Sequence, residues 1–307
     1  MSHHGADPYH GPKFDPMTPF VGVATAGGQT GRYLVREFAR RGIRVRGLVR
    51  STRAAEAARE AGASETAQAD LADRESMAAA VAGLDMLVFI APPFDAREDA
   101  HAADALAAAA RQGVGHFVYY SVLHPSFRGV PHHLRKLDVE TQVKDAALRW
   151  TIIQPTMYQQ TFLGLVRQAT DGVLRLPYSP ASRFHLVDLQ DVAHVVGEVA
   201  ADPDRHVYAT YELAGPERLS STEMAERVAQ VTGRDLRTEE LPATSLPLPP
   251  GLPHTTIAEM MAMFAKYDRA GYPASANVLR LLLGREPTPL ATVARRELPS
   301  GCRAVTP

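Results

Sequence analysis

The strongest chemical signal lies near the amino end, in Val23-Ala24-Thr25-Ala26-Gly27-Gly28-Gln29-Thr30-Gly31. These residues follow an apolar run, 20–24. They precede a pattern in which Gly31, Leu34, Val35 and Phe38 recur at helical spacing, closed by Gly42. A strand that turns directly into a helix presents that helix's free N–H groups and positive dipole end, which suits a diphosphate. Gly28 would let backbone and phosphate come close, and Gly31 would let helix and strand pack tightly, while Gln29 and Thr30 open the helix. The usual fingerprint starts with a further glycine, and Thr25 takes its place. One strand on, Val49 is followed by Arg50. An unphosphorylated ribose calls for a carboxylate there. A guanidinium instead clamps a 2′-phosphate, with Arg53 or Arg32 assisting. The spacing predicts NADP(H) as the cofactor.

Such a loop works only if a sheet holds it, and the pattern around it supplies one. Ile43, Val45 and Val49 alternate with arginines as in a strand. An Ala-rich helix, a weak strand near 65–69 and a helix capped by Asp73 follow. The run 86–91 is almost wholly apolar, as a strand buried on both faces must be. A long Ala-rich helix to Gly113, an apolar run at 117–120, a helix from Pro131 and a run at 150–153 complete the alternation. Regular strand–helix order predicts an α/β protein: a Rossmann-type doubly wound parallel sheet. After Pro155 the pattern changes. Residues 188–200 read as a helix ended by Asp202-Pro203, and 207–213 as a strand. Ser220 and Glu223 form a capping box for a helix to Gly233, and 241–253 is a proline-dense linker. Thr256 and Glu259 would cap a helix carrying Met260, Met261, Met263 and Phe264. The expected organisation is a tail at 1–17 and a cofactor domain at 18–155, to which 186–201 returns. A smaller C-terminal substrate lobe takes 156–185 and 202–298, and a second tail 299–307.

Composition narrows the function classes. The 307 residues carry 33 Lys+Arg against 34 Asp+Glu, a net charge of -1 that gives no reason to expect nucleic acid or acidic membrane as partner. The single cysteine, Cys302, cannot form an internal disulfide, so a reducing, cytoplasmic setting is expected. The 1–17 tail has no apolar run and reads as neither signal peptide nor span. His3, His4 and His10 lie in it without fixed geometry, and no metal site is expected.

The chain resembles the NmrA-like branch of the atypical short-chain dehydrogenase/reductases over nearly everything from Phe20 to Leu298. The resemblance rests on the glycine loop, Leu48-Val49-Arg50, Ala69-Asp70-Leu71 and Tyr120-Ser121-Val122-Leu123-His124-Pro125. It continues through Pro131-His132-His133 with Lys136 and Glu140, Trp150-Thr151-Ile152-Ile153-Gln154-Pro155, and Leu186-Val187-Asp188 leading to Asp191-Val192-Ala193. It implies that Asp70 and Leu71 flank the adenine and that Ala91 and Pro92 border the adenosine half. Ser121, Pro155 and Thr156 would lie near the nicotinamide. The wider superfamily uses a Tyr four residues before a Lys; the Lys place matches Lys136, and His132 stands in the Tyr place.

Helical spacing puts His132, Lys136, Val139 and Val143 on one stripe, with its apolar end toward the sheet. Lys136 is then a ribose-holding candidate, the competing reading being a surface pair with Glu140. His132 is a candidate proton donor, with His133 and His124 as rivals. Tyr158, Phe162 and His133 are substrate-contact candidates. Asp188 and Asp191 read as capping and anchoring residues, and Tyr119 and Tyr120 as packing residues. Two functions follow: an NADPH-dependent oxidoreductase of a small apolar carbonyl, enone or quinone-like substrate, or a non-catalytic NADP(H) redox sensor acting on a protein partner. Redox-neutral isomerisation or cyclisation on the same scaffold is a third.

Overall fold

The computed structural model describes residues 19–245 and 251–298; both tails, with His3, His4, His10 and Cys302, and part of the 241–253 linker lie outside them. The alternation read from the sequence is realised as β1 (Phe20–Ala24), α1 (Gln29–Arg40), β2 (Arg44–Val49), α2 (Thr52–Glu60), β3 (Glu65–Gln68), α3 (Arg74–Val81), β4 (Met86–Phe89), α4 (Glu98–Gln112), β5 (His116–Tyr120), α5 (Pro131–Asp145) and β6 (Trp150–Pro155). Then come α6 (Gln159–Gln168), β7 (Val173–Leu176), β8 (Arg183–His185), α7 (Leu189–Ala201), β9 (Ala209–Leu213), β10 (Arg218–Ser220), α8 (Ser221–Thr232), β11 (Arg237–Glu240), α9 (His254–Ala270), α10 (Asn277–Leu283) and α11 (Leu290–Glu297).

The main sheet has seven strands in the order β3-β2-β1-β4-β5-β6-β9. Every pairing from β3 through β6 is parallel. Strand order reverses between β1 and β4, the point at which open α/β sheets leave a crevice beyond their carboxyl ends. β1, β4 and β5 are buried along their whole length, as a parallel sheet covered on both faces requires.

The chain groups into two compact units. The first runs through Ser121 and includes Arg135–Ile153 and Ala193–Thr210; the second comprises Val122–Leu134, Gln154–Val192 and the chain from Tyr211 onward. Segment Val122–Leu134, placed by sequence with the cofactor domain, thus groups with the second unit. Each unit has its own core, one around Leu87, Phe89, Phe117 and Tyr119, the other around Leu123, Phe184, Tyr267 and Tyr272.

Local departures from the sequence expectations have local causes. The strand expected at 86–91 stops at Phe89, and the next carbonyl, of Ile90, accepts a hydrogen bond from Thr25 Oγ1. The strand expected from Val207 starts at Ala209, after Tyr208 takes a φ of 60°. Helix α9 begins at His254 behind Pro253, so Thr256 and Glu259 lie inside it and do not cap it. The Pro253 backbone, at φ -57°, is already set to lead into a helix. The Ser220–Glu223 capping box forms as read, and Gly233 closes α8 in the left-handed region. Asp188 accepts from Gln190 N–H at the start of α7 and from Arg296, while Asp191 takes Thr288 and Arg285; both are structural anchors, as expected.

Candidate functional site

The glycine turn leads straight into α1, whose N-cap residue, Gly28, supplies no side-chain cap and whose first turn has no acidic residue. That end is chemically bare toward an anion. Gly31 is required by close packing: a Cβ there would stand 2.6 Å from the Thr25 carbonyl oxygen. Gly27, unassigned by sequence, is required as well, because its Cβ would fall 2.6 Å from the Ala54 carbonyl oxygen of α2. Thr25 holds the left-handed conformation that the missing glycine would take freely, at φ 51°. That geometry disfavours a β-branched residue. The 3.1 Å bond from its hydroxyl to Ile90 offsets part of the cost and ties the turn to the end of β4.

Beyond these carboxyl ends, within the first unit, lies a cleft of about 420 Å³. It brings together Thr25, Gly28, Arg50, Asp70, Leu71 and Pro92 from the sequence-derived set, and adds Gly27, Ser51, Ala54, Asp95 and His101. Gln29, Thr30 and Gly31 open α1 beside it, and Ala91 is buried immediately before Pro92. Arg50 is exposed and has no hydrogen bond or ion pair among the described residues; the same holds for Arg53. Six other arginines of this unit do have acidic partners: Arg40, Arg41, Arg46, Arg74, Arg149 and Arg205. An unspent guanidinium at the rim of a cleft, beside an uncapped helix end, can hold a phosphorylated ligand. The donor set fits the adenosine and diphosphate portion of a dinucleotide.

The remaining candidates divide between the units. In the first, Lys136 is buried, but it pairs neither with Glu140 nor with solvent. Its Nζ donates to Glu98 Oε1 at 2.7 Å and lies 5.6 Å from the centre of the Tyr119 ring. Tyr119 Oη donates to the same oxygen at 2.7 Å. Glu98 is wholly buried, and its second oxygen has no partner. Burial first, then the Glu98 charge, raise the Tyr119 phenol well above its ordinary range, so it stays neutral. Tyr119 is therefore more than the packing residue read from sequence. Ser121 Oγ donates to buried Glu140 at 2.6 Å, so its hydroxyl is committed to a carboxylate.

In the second unit, His124 has a φ of 54° and donates from Nε2 to the Pro273 carbonyl at 2.7 Å. His133 donates from Nδ1 to the His124 carbonyl at 2.9 Å. It is fully buried, and its ring stacks on Phe127 at 5.7 Å. Read from sequence as a substrate contact, His133 lies in a buried aromatic cluster with Phe127 and Tyr272. Phe162 likewise belongs to the second core rather than to an open surface. His132 is half-buried, edge-on to His133 at 5.8 Å. Pro155 and Thr156 are buried; Tyr158 is half-buried at the start of α6 and bridges Val187. Glu98 and His101 escaped the sequence reading. Their signal was an acid and a histidine on the stripe of α4 that also carries Ala102, Ala105 and Ala109.

The profile of the NmrA-like family matches residues 17–290. The chain belongs to the NmrA-like family. It is 29% identical over 237 residues to a (4-alkanoyl-5-oxo-2,5-dihydrofuran-3-yl)methyl phosphate reductase of Streptomyces griseus, spanning 73% of this chain and 80% of that protein. The NADPH-dependent quinone oxidoreductase of Escherichia coli, solved with NADPH, superposes with a TM-score of 0.76 at 21% identity, covering 90% of this chain and 99% of that one. NmrA, a negative transcriptional regulator solved with NADP, gives 0.75 at 20% identity, covering 92% and 96%. Among the described residues, no helix is long and apolar enough to cross a membrane, and no group of three or more His, Cys, Asp or Glu is placed to hold a metal ion.

Proposed function

We propose that this NmrA-like protein binds NADP(H) in the cleft and reduces a small apolar carbonyl, enone or quinone-like compound. The observation that carries the reading is Arg50, unpaired among the described residues and lining the same cleft as the glycine turn. The bare start of α1 would hold the diphosphate, and Arg50, with Arg53 beside it, the 2′-phosphate. The cofactor supplies a hydride. Glu98 and Tyr119 fix Lys136, so that its ammonium is placed before any ligand arrives. His132, in the place of the usual tyrosine, is the proton donor of this reading. Reductases of a furanone phosphate and of quinones among the relatives support the reaction class. A lone cysteine supports a cytoplasmic setting.

Titration calorimetry with NADP+ and NAD+, followed by NADPH oxidation with a panel of quinones and enones, tests the reading. Arg50→Gln should weaken NADP+ about ten- to a hundredfold, the worth of one charged hydrogen bond, and leave NAD+ almost unchanged. Equal losses for both dinucleotides would remove the 2′-phosphate from Arg50.

A second reading, a regulator that binds NADP(H) without turnover, is favoured by the commitment of Lys136 and Ser121 to buried carboxylates. Dinucleotide binding with no oxidation across the panel would select it.

A further inference from the structure

The second unit carries positive charge that its own fold does not neutralise. No acid occurs between Asp104 and Asp138, and the stretch Val122–Leu134 brings Arg128 into the second unit. Arg128 is exposed and has no hydrogen bond or ion pair among the described residues. Lys266 on α9 likewise has none among them. Its neighbours three and four positions away, Ala262, Met263, Arg269 and Ala270, include no carboxylate. Asp268 is close in sequence, but it already accepts the Ser179 N–H at 2.7 Å. The Lys266 Nζ lies instead 4.5 Å from the centre of the Phe127 ring.

That ring is a fixed platform. His124 stacks on it at 4.8 Å and His133 at 5.7 Å, and Tyr272 meets it edge-on at 5.9 Å. His124 is itself held in the left-handed region at φ 54°, with Nε2 donating to the Pro273 carbonyl. Backbone strain of this kind gathers at ligand sites. An ammonium resting on an aromatic face keeps its charge and its N–H donors, while its stem loses freedom before any ligand arrives. Arg128 follows Phe127 directly in the chain. One cation is thus seated on the ring and another stands next to it in sequence. The lysine offers a point charge and the arginine a planar fork, a pairing suited to a phosphate.

We propose that Lys266 and Arg128, on the Phe127 platform, hold a phosphate monoester on the substrate. The inference rests on the reductase reading and deepens it: the compound reduced has an apolar body and a phosphorylated end. Phe127 and the aromatic groups packed on it supply the apolar contact beside the two cations.

Phenyl phosphate is the probe, titrated calorimetrically into protein saturated with NADP+ so that the cleft of the first unit is filled. Phenol and benzoate are the controls. Phenyl phosphate should bind at least about tenfold more tightly than either. Lys266→Met, which keeps an apolar stem against Phe127, and Arg128→Gln, at an exposed position, should each weaken it about tenfold. Lys266→Arg should keep most of the affinity. Phenyl phosphate binding no tighter than phenol, or equally tight in folded Lys266→Met and in Arg128→Gln, overturns the inference and leaves the cofactor reading standing. Benzoate bound as tightly as phenyl phosphate also overturns it, because the site would then not select phosphate. Failure of NADP+ itself to bind removes the cofactor reading, and with it the substrate role of this site; the two failures appear in separate titrations.

Discussion

Lys136→Met puts the buried trio under the sharpest test. Methionine fills most of the volume of the lysine stem but removes the ammonium. It leaves Glu98, wholly buried, with the Tyr119 hydroxyl on one oxygen and nothing on the other. Removing one partner of a buried ion pair costs about 3–5 kcal/mol, mostly the penalty of the charge left behind. Replacing both partners by apolar groups removes that penalty. Glu98→Leu/Lys136→Met should therefore recover at least about 2 kcal/mol of the single mutant's loss; the residue is the Tyr119 hydroxyl deprived of its acceptor. The assay is urea unfolding followed by circular dichroism on the natural protein, both single variants and the double variant, with the coupling taken from the cycle. A loss under about 1 kcal/mol for Lys136→Met, or strictly additive losses in the double variant, would refute the buried-pair reasoning. It would also free Lys136 to be an ordinary surface charge.

Two further outcomes follow from single residues. Thr25→Val keeps the branched side chain in the left-handed turn and loses the bond to Ile90, at a cost of about 1 kcal/mol. Thr25→Gly loses the same bond and some chain stiffness but relieves about 1–2 kcal/mol of strain, so it should be the more stable of the two in urea; the reverse order would contradict the strain assignment. Burial, with the Arg149 charge adding to it, pushes the His116 imidazole from 6.5 down to about 3. The unfolded chain takes up a proton there that the folded one refuses. Stability from this ring is therefore complete above 6.5 and drains away as pH falls toward 3. His116→Leu should flatten the fall of melting temperature with acid in that window, and an unchanged slope would exclude the ring as its source.

The first unit was legible because its signals are local. Phe20–Ala24, the Gly31–Leu34–Val35–Phe38 stripe and the Asp73 cap each sit within one element and came out as read. Six of the cofactor candidates meet in one cleft because strand ends in a parallel sheet converge whatever the side chains are. What stayed hidden depended on partners distant in sequence. β11, Arg-Thr-Glu-Glu, has no apolar alternation and is a strand only because it pairs with β7. Lys136 invited pairing with Glu140, one helical turn away, but the fold offered Glu98, a residue 38 positions earlier and fully desolvated. Gly27 gave no local hint that α2 passes over it.

The chain's threading has its own consequence. It changes unit after Ser121, Leu134, Ile153, Val192 and Thr210, five times in all. No single scission releases either half, since one cut always leaves a fragment with orphaned strands. Swapping the second half between homologues as one cassette is likewise ruled out, because three separate stretches would have to be exchanged together.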